Sequence, residues 1–236
     1  MKSSSEISSI AIIPARGGSK RIPMKNIKQF MGKPAILYPV EAALSSGVID
    51  QVIVSTDSEI IAGCVDGIER VTIHFRPSKL SDDITPTVPV IAEAIESNGI
   101  DDDVAVCCIY PVNPFIQSND IVNGLELLKS HPSISYVNSI GTYSYPIQRA
   151  VRKNANGQIE MLNPELALTR SQDLEEVFHD AGQWYWGRAS TWKNGEKLLF
   201  NSIGVQIPRW RCQDIDTLED WELSELLFKV SQDGVQ

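Results

Sequence analysis

The chain passes from an apolar strand into a basic loop in the sequence Ile12-Ile13-Pro14-Ala15-Arg16-Gly17-Gly18-Ser19-Lys20-Arg21-Ile22-Pro23-Met24-Lys25-Asn26. A strand followed directly by a turn of small residues is typical of α/β folds, in which ligands bind beyond the carboxyl ends of the strands. Gly17 and Gly18 let the backbone approach a ligand closely and leave their N–H groups free to donate. We therefore predict that this loop forms one wall of a binding site.

The charge of this loop differs from that of the whole chain. Six lysine and arginine residues and no carboxylate lie between positions 14 and 33, whereas the formal net charge of all 236 residues is -9. A local positive loop on an acidic protein indicates a small polyanion, because a nucleic-acid site needs a more extended basic face. We predict a loop that binds a triphosphate, and no nucleic-acid partner.

Composition predicts one globular domain that covers residues 1–236. The chain is 42% hydrophobic and 22% charged, which allows a substantial core without long disordered segments. No apolar run is long enough to cross a membrane, and the N-terminus lacks the apolar segment of a signal peptide. The four cysteines lack C-x-x-C spacing, so we expect reduced core residues in a cytoplasmic protein that has no membrane partner.

Short apolar runs alternate with helical patterns along the chain. Strands are predicted at 10–14, 52–55, 72–75, 104–109, 135–139, 183–186 and 203–207. Helices are predicted at 34–46, 88–97, 120–130 and 217–230. This alternation predicts a three-layer α/β/α sandwich of the Rossmann-like type with a mostly parallel central sheet. The pattern breaks at 141–177, a polar and turn-rich segment that we interpret as a lid or as the dimerisation arm of a homodimer.

The basic loop fits neither of the two common phosphate-binding motifs. It lacks the spacing of G-x-x-x-x-G-K-[ST] and of G-x-G-x-x-G, which argues against P-loop NTPases and Rossmann dehydrogenases. Arg16 and Lys25 instead flank the glycine turn, where they can bind a triphosphate from two sides while Ser19 donates a further hydrogen bond. The alternative is an ordinary strand-to-helix loop with solvated cations.

Two aspartates, Asp214 and Asp216, follow the last predicted strand. Carboxylates at this spacing can converge on Mg²⁺, which keeps several waters and bridges phosphate oxygens. The alternative is that Thr217 caps the final helix with Asp220 in a capping box, and that both aspartates only favour the helix dipole. We expect both arrangements together, with Asp214 and Asp216 as the metal ligands. Asp57 is likewise the expected N-cap of the helix after the second predicted strand, and a role in binding the ligand is the alternative.

The basic loop and several later segments carry one set of motifs. The pattern is Ala15-Arg16-x-x-Ser19-Lys20-x-x-x-x-Lys25-Asn26, continued by Val54-Ser55-Thr56-Asp57, Arg76-Pro77-Ser78-Lys79-Leu80, residues 111–115 and Asp214-Ile215-Asp216-Thr217. With these motifs the chain resembles the CMP-sialic acid synthetases, cytidylyltransferases that activate nonulosonic acids, over nearly its whole length. Residues 169–176 and 178–187 most resemble the branch that activates pseudaminic acid.

The resemblance implies a nucleotide-diphospho-sugar transferase fold, CTP as the nucleotide and Mg²⁺ as the cofactor. The residues implied in binding CTP are Ala15, Arg16, Gly17, Ser19, Lys25, Asn26 and Arg76. The residues implied in binding the sugar are Tyr110, Arg170, Gln172, Asp180, Gln183 and Tyr185. The expected catalytic residues are Arg16, Lys25, Asp214 and Asp216, of which the two aspartates hold the metal.

Some of these positions allow other interpretations. Tyr110 departs from the glutamine that the family usually carries there, which suggests a different acceptor, and packing at a strand end is equally open. Trp184 and Trp186 are expected in the core, although together with Tyr185 they also offer an apolar wall for a sugar methyl group. For two arginines the alternatives are surface ion pairs, with Asp82 or Asp83 for Arg76 and with Glu175 or Glu176 for Arg170.

We expect transfer of a cytidylyl group from CTP to the anomeric hydroxyl of a nonulosonic acid, with pseudaminic acid as the expected acceptor. The alternatives are N-acetylneuraminic acid, legionaminic acid or an eight-carbon 2-keto sugar acid and, more distantly, a non-catalytic nucleotide sensor. The pair Asp214 and Asp216 argues against a sensor, which needs no metal-assisted site for a leaving group. The general base stays open between Asp216, His179 and a metal-bound hydroxide.

Overall fold

A seven-stranded sheet forms the centre of the molecule. The computed structural model describes residues 9–82 and 84–232; residues 1–8, 83 and 233–236, which the predicted single domain also includes, lie outside the described residues. The strands are β1 (Ser9–Pro14), β2 (Gln29–Phe30), β3 (Lys33–Pro34), β4 (Gln51–Thr56), β5 (Val71–Phe75), β6 (Ala105–Ile109), β7 (Tyr136–Thr142), β8 (Val151–Lys153), β9 (Ile159–Met161), β10 (Phe178–Arg188) and β11 (Ser202–Gln206). The α-helices are α1 (Leu37–Ser45), α2 (Glu59–Val65), α3 (Thr87–Ser97), α4 (Ser118–Ser130), α5 (Ala189–Lys193) and α6 (Leu218–Gln232).

The central sheet is mostly parallel, as the sequence predicted. Its order is β11-β7-β10-β6-β1-β4-β5, and within this described sheet only β10 runs antiparallel to its neighbours β6 and β7. The chain leaves the sheet where β7 ends and returns beside the same end, because Phe178 pairs with Thr142. Because the chain re-enters the sheet beside the end of β7 that it left, β10 runs in the opposite direction to β7. The long connection thus explains why β10 is antiparallel to its neighbours.

Helices cover both faces of the sheet and complete the three layers. Helices α1, α2 and α4 pack on one face, where the core includes Val40, Ile61 and Leu125. Helices α3 and α5 pack on the other face around Ile91 and Trp192. The central strands are therefore buried on both sides, which is why they appear in the sequence as nearly continuous apolar runs.

The four cysteines are free, and two of them are buried. Cys107 belongs to one core and Cys108 to the other, as expected for neighbours on a strand. Burial raises the pKa of both thiols above the ordinary value. Cys64 and Cys212 are half-buried. Cys64 packs against the first core, whereas Cys212 belongs to no apolar cluster of the described residues, so the prediction that all four are core residues is wrong for Cys212.

The predicted strands and helices are all present, and two short helices were missed. Helix α2 has 7 residues and α5 has 5, which is too short for a clear amphipathic repeat in the sequence. Helix α6, with 15 residues, is the longest helix of the described chain. Among the helices of residues 9–82 and 84–232, none is long and apolar enough to cross a lipid bilayer.

The segment 141–177, which we call the arm, leaves the sheet at the end of β7 and carries the β8–β9 hairpin. Several of its apolar side chains are exposed, with Leu168 at 97%, Tyr145 at 84% and Ile159 at 69%. The arm therefore contributes little to either core of the sandwich.

Candidate active site

A polar cleft lies at the carboxyl ends of the central strands. Arg16 follows β1, Arg76 follows β5 and Tyr110 follows β6, so all three lie at the same end of the sheet. The cleft has a volume of about 500 Å³. Its lining residues are Pro14, Arg16, Ser19, Lys20, Arg21, Lys25, Asn26, Arg76, Leu80, Asp82, Thr85, Thr87, Val90, Tyr110, Pro111 and Asp216. Basic residues outnumber carboxylates in this lining, so the cleft suits an anion.

Buried contacts shape the basic loop. Ala15 is fully buried and extends the pairing of β1 by donating its N–H to the carbonyl oxygen of Ser55 at 2.8 Å. Asn26 is also buried, and its Nδ2 donates to the carbonyl oxygen of Arg16 at 2.8 Å. Ala15 and Asn26 therefore fix the path of the loop. Arg16, Ser19 and Asn26 line the cleft, and Ala15 does not.

Gly17 lies against the start of α2. Its N–H donates to Oδ1 of Asp57 at 2.7 Å, and a Cβ at this position would lie 3.0 Å from the Cβ of Ser58. This N–H is therefore bonded within the protein, whereas the sequence led us to expect it free for a ligand. Ser58 caps α2, because its Oγ accepts from the N–H of Ile61 at 3.4 Å. The prediction that Asp57 is the N-cap is wrong; Asp57 instead holds the basic loop against α2.

Asp216 lies between two cations of the basic loop. Its Oδ2 is 2.7 Å from Nη2 of Arg21, and its Oδ1 is 3.1 Å from Nζ of Lys25. The same Lys25 ammonium donates to the carbonyl oxygen of Ile215 at 2.8 Å. The basic loop and the C-terminal segment, which are far apart in sequence, therefore meet at this carboxylate.

Asp214 lies beside the cleft and does not line it. The residue is exposed, yet partial loss of hydration and then the charge of Asp216 raise its pKa, while the charges of Lys25 and Arg21 lower it. Within residues 9–82 and 84–232, no group of three or more His, Cys, Asp or Glu side chains is arranged to hold a metal ion. The charge interaction places Asp214 near Asp216, and Asp216 is paired with Arg21 and Lys25.

The capping box predicted for the final helix is confirmed. Oγ1 of Thr217 accepts from the N–H of Asp220 at 3.2 Å, and Oδ2 of Asp220 accepts from the N–H of Thr217 at 2.7 Å. The hydrogen bonds from Thr217, first of all from its hydroxyl, lower the pKa of Asp220. Oδ2 of Asp220 also accepts from the N–H of Asp216 at 3.1 Å, so the cap holds the backbone of the cleft carboxylate.

Arg76 is a buried arginine in the wall of the cleft. Its Nη2 donates to the carbonyl oxygen of Ser55 at 3.2 Å and its Nη1 to that of Leu80 at 3.4 Å. Its Nε is buried and has no hydrogen-bond partner within the described chain. Burial lowers its pKa most, the charge of Asp57 raises it, and the charge of Arg16 lowers it again. A buried guanidinium of this kind differs from the surface ion pair that was the alternative interpretation.

Tyr110 connects the cleft with strand β10. Its hydroxyl lies 2.9 Å from Oγ1 of Thr87 at the start of α3, and its ring centre lies 5.5 Å from that of Tyr185. Tyr185 is 1% exposed and donates its hydroxyl hydrogen to Oδ2 of Asp180 at 2.6 Å. Burial raises the pKa of both tyrosines. Tyr110 and Thr87 line the cleft, whereas the predicted sugar-binding residues Tyr185 and Asp180 do not.

Trp184 and Trp186 lie in the core, as expected, so the apolar wall that they were to form with Tyr185 for a sugar methyl group is wrong. Trp184 and Trp186 are fully buried, and they pack so closely on Gly124 of α4 that a Cβ there would lie within 2.7 Å of each ring. Gln183 is buried as well, and its Nε2 donates to the carbonyl oxygen of Arg211 at 2.5 Å. These side chains belong to the interior because β10 lies inside the sheet, with strands on both sides and helices on both faces.

Three other predicted residues lie outside the cleft of the single chain. Arg170 and Gln172 are exposed residues of the arm, and Nε of Arg170 pairs with Oδ2 of Asp173 at 2.7 Å. This partner differs from the two glutamates that the alternative interpretation named. His179 bonds through Nδ1 to the carbonyl oxygen of Asp180 at 2.8 Å and does not line the cleft.

Sequence reasoning assigned no individual role to several residues that line the cleft, among them Arg21 and Thr87. Arg21 belongs to the run of cations in the basic loop, so the density of positive charge was a signal that included it. Thr87 carries no such signal, because its contact with Tyr110 depends on how α3 packs against the sheet.

Comparison with known proteins identifies one family. The cytidylyltransferase family profile matches residues 10–201. The chain is 37% and 38% identical to the pseudaminic acid cytidylyltransferases of two Campylobacter jejuni strains, in each case over 231 residues, which are 95% of this chain and 98% of the relative. It is 29% identical to a CMP-N,N'-diacetyllegionaminic acid synthase of Legionella pneumophila over 96% of this chain and 98% of the relative.

Solved structures show the same fold. The structure of CMP:2-keto-3-deoxy-manno-octonic acid synthetase complexed with CTP superposes with a TM-score of 0.69, covers 96% of this chain and 100% of that chain, and is 17% identical. At this identity the likeness shows the fold alone. The profile match and the two Campylobacter relatives extend over most of the chain, and the chain therefore belongs to the cytidylyltransferase family.

Proposed function

We propose that this enzyme transfers a cytidylyl group from CTP to the anomeric hydroxyl of pseudaminic acid, a nonulosonic acid, and releases pyrophosphate. The observation that carries the proposal is the 37% and 38% identity to pseudaminic acid cytidylyltransferases along nearly the full length of both chains. The cleft adds chemical support, because its arginines and lysines suit a triphosphate and Asp216 lies among them.

The cations of the basic loop bind the triphosphate in this proposal. Arg16 presents a planar fork to phosphate oxygens, and Lys25 acts as a point charge. Lys25 and Arg21 pair with Asp216 in the free protein, so a triphosphate in the cleft competes for both cations. The acceptor hydroxyl attacks the α-phosphorus in line, and the same cations stabilise the negative charge that develops on the departing pyrophosphate.

Mg²⁺ is the proposed cofactor, and Asp214 and Asp216 would hold it. Mg²⁺ commonly binds through one or two carboxylates and takes its remaining ligands from water and substrate phosphates, so the chemistry of this pair fits the ion. Loss of hydration and the charge of Asp216 both raise the pKa of Asp214, which supports two carboxylates close enough to share a cation. When bound, the ion neutralises charge on the phosphate oxygens.

The acceptor side of the proposal involves Tyr110 in the cleft and Arg170 in the arm. A guanidinium is a natural bidentate partner for the carboxylate of a nonulosonic acid. Arg170 does not line the cleft of its own chain, so this role requires either that the arm closes over the cleft or that a second subunit supplies the residue. We also propose a homodimer formed through the arm. The four free thiols favour a reducing compartment, and the cytoplasm is the proposed location.

The second candidate acceptor is legionaminic acid. The observation in its favour is the 29% identity to the Legionella synthase, which is lower than the identity to the Campylobacter enzymes. The fold likeness to the synthetase for an eight-carbon acid carries no argument about the acceptor.

The test is a pyrophosphate-release assay with CTP, Mg²⁺ and purified pseudaminic, legionaminic, N-acetylneuraminic and eight-carbon 2-keto acids. We expect CMP-pseudaminic acid as the product in mass spectrometry, and a kcat/KM for pseudaminic acid about 100-fold above that for N-acetylneuraminic acid. Equal or better turnover of N-acetylneuraminic acid would overturn the acceptor assignment and leave cytidylyl transfer intact. No pyrophosphate with any acid would overturn the whole proposal.

A further inference from the structure

Arg211 is a buried arginine outside the cleft that the proposed mechanism does not use. It is 4% exposed and ends the short turn Arg209–Arg211, which follows β11. Its Nε donates to the carbonyl oxygen of Phe115 at 3.1 Å, its Nη1 donates to Oε1 of Gln117 at 2.9 Å, and its Nη2 pairs with Asp120. Each guanidinium nitrogen therefore has a partner.

Arg211 joins three elements of the fold. Its guanidinium binds the start of α4 and the loop before it. Its carbonyl oxygen accepts from Nε2 of Gln183 in β10 at 2.5 Å and from the N–H of Gln213 at 3.0 Å. Because the guanidinium is planar and bonded at three nitrogens, these contacts fix its orientation as well as its distance.

The segment that begins at Arg211 ends at Asp216 in the cleft. At the far end, Ile215 is 2% exposed, and Lys25 donates to its carbonyl oxygen. Ile215 belongs to an apolar cluster that also contains Ile22, Phe30, Ala35 and Trp221. The segment 211–216 is therefore held at one end by this cluster and at the other end by the contacts of Arg211.

A buried ion pair is weak evidence for a purely stabilising role. Moving two charges out of water costs free energy, and apolar residues of similar volume are often as good or better for stability. The pairing of Arg211 with Asp120 is therefore best explained by the geometry that it imposes on the segment 211–216.

We propose that Arg211 is a positioning residue, which together with Asp120 holds the segment 211–216 so that Asp214 and Asp216 face the basic loop. Arg211 does not line the cleft, so it acts through the backbone of this segment. The inference rests on the proposed function, because it concerns the placement of the two carboxylates in that reaction.

The variant Arg211→Lys tests the proposal, because it keeps the positive charge and removes the planar fork. The matched control is Arg188→Lys. Arg188 donates to the carbonyl oxygens of Ile134 at 3.3 Å and Leu128 at 3.0 Å, contacts that do not involve the segment 211–216. If Arg211→Lys fails to fold, Asp120→Asn removes the charge of the partner at nearly constant volume and takes its place.

The first measurement is hydrogen exchange of peptides that cover residues 212–217, made without nucleotide or metal. We expect faster exchange in Arg211→Lys and unchanged exchange in Arg188→Lys. The second measurement is activity, for which we expect kcat to fall about 10-fold or more in Arg211→Lys. The third is Mn²⁺ binding by electron paramagnetic resonance, for which we expect an affinity about 10-fold lower. The Kd of CTP without divalent ions should change less than about threefold, because the basic loop is untouched.

Unchanged exchange in Arg211→Lys would overturn the proposal. Faster exchange with the kcat and Mn²⁺ affinity of the wild type would overturn it too, as would equal losses in Arg211→Lys and Arg188→Lys. If the wild-type protein turns over none of the acids with CTP, the proposed function is overturned, and the kinetic part of this inference is overturned with it. The hydrogen-exchange result would then show only whether Arg211 holds the segment 211–216 in place.

Discussion

At the scale of single residues, Asp216 is the point where the basic loop and the C-terminal segment meet. Arg21 and Lys25 neutralise it in the free protein, and a bound triphosphate would draw both cations toward phosphate oxygens. In the proposed mechanism, the carboxylate of Asp216 would then be available to hold Mg²⁺. This exchange of partners requires no large movement, because all of the groups already lie in one cleft.

Replacing Asp216 by asparagine should therefore reduce kcat by about 100-fold while the fold stays intact. An amide is a weaker metal ligand than a carboxylate, and the loss should grow as charge develops in the transition state. CTP affinity should change less than kcat, since Arg21 and Lys25 are released to bind phosphate. The matched control is Glu219→Gln, an exposed carboxylate in the first turn of α6. Activity within a few-fold of wild type, or full activity in EDTA, would contradict the role.

Replacing Asp214 or Asp220 by asparagine should change the thermal stability in opposite directions, and both changes should depend on pH. Asp214 has a raised pKa, so its ionised form costs stability, and Asp214→Asn should raise the Tm at pH 7 in EDTA. That gain should shrink as the pH falls through the folded pKa, and it should be absent below the unfolded pKa of about 4, where the carboxyl group is protonated in folded and unfolded chains alike. Asp220 has a lowered pKa, so Asp220→Asn should lower the Tm at pH 7, and this loss should shrink as the pH falls through the folded pKa. Thermal unfolding of both variants between pH 3 and 8 tests the signs; a lower Tm for Asp214→Asn at pH 7 would contradict the first.

At the scale of elements, the contact between α4 and β10 depends on Gly124. A Cβ there would lie 2.5 Å from Cδ1 of Trp186 and 2.7 Å from Cζ3 of Trp184. These rings are fully buried in the core and cannot move aside without displacing their neighbours. The absence of a side chain at this position is what lets the helix lie close to the sheet.

Gly124→Ala should lower the free energy of unfolding by about 1–3 kcal/mol, because it overpacks this contact. The matched control is Gly63→Ala in α2, where a Cβ meets nothing within 4 Å. That substitution should raise the free energy of unfolding by about 0.5–1 kcal/mol through helix propensity. The free energies of unfolding of both variants, measured in urea, test these two expectations. Equal effects of the same sign would show that packing at Gly124 does not control this contact.

The features that were predicted correctly depend on residues that lie close together in the sequence. Strands such as β1 and β6 are continuous apolar runs because both faces are covered, and the basic loop is a contiguous motif. The direction of β10 was not predictable, because it depends on where the chain returns after the arm. The interior position of Tyr185 and the links of Arg211 to α4 were likewise hidden, since both arise from packing between distant segments.

At the scale of the whole molecule, exposed apolar surface gathers in the arm. The side chains of Tyr145, Ile159 and Leu168 lie open to solvent in the single chain, although the chain as a whole is acidic. A short hairpin such as β8–β9 is only marginally stable alone, so packing of two arms against each other is the economical way to bury this surface.

We therefore expect a homodimer with twice the monomer mass of 26.1 kDa in sedimentation at micromolar concentration. Leu168→Asp should weaken the dimer, because it places a charge in the interface. The control is Ile60→Asp, at an exposed position of α2 outside the arm, which should leave the mass unchanged. A wild-type monomer would rule out this assembly, and equal dissociation of both variants would show that the arm is not the interface.

A dimer of this kind also decides how Arg170 reaches the acceptor. If one subunit's Arg170 serves the other subunit's cleft, then Asp216→Asn and Arg170→Ala each have little activity alone but complement each other when mixed. The mixed dimer contains one cleft with a normal Asp216 and a normal Arg170 from its partner. After random exchange at equal amounts, half of the dimers are mixed, so we expect about a quarter of wild-type activity.

Separately purified homodimers, mixed without subunit exchange, are the control and should show no gain in activity. If exchange is complete by mass spectrometry and no activity returns, Arg170 does not act across the dimer, and its proposed contact with the acceptor carboxylate would have to come from closure of the arm over its own cleft.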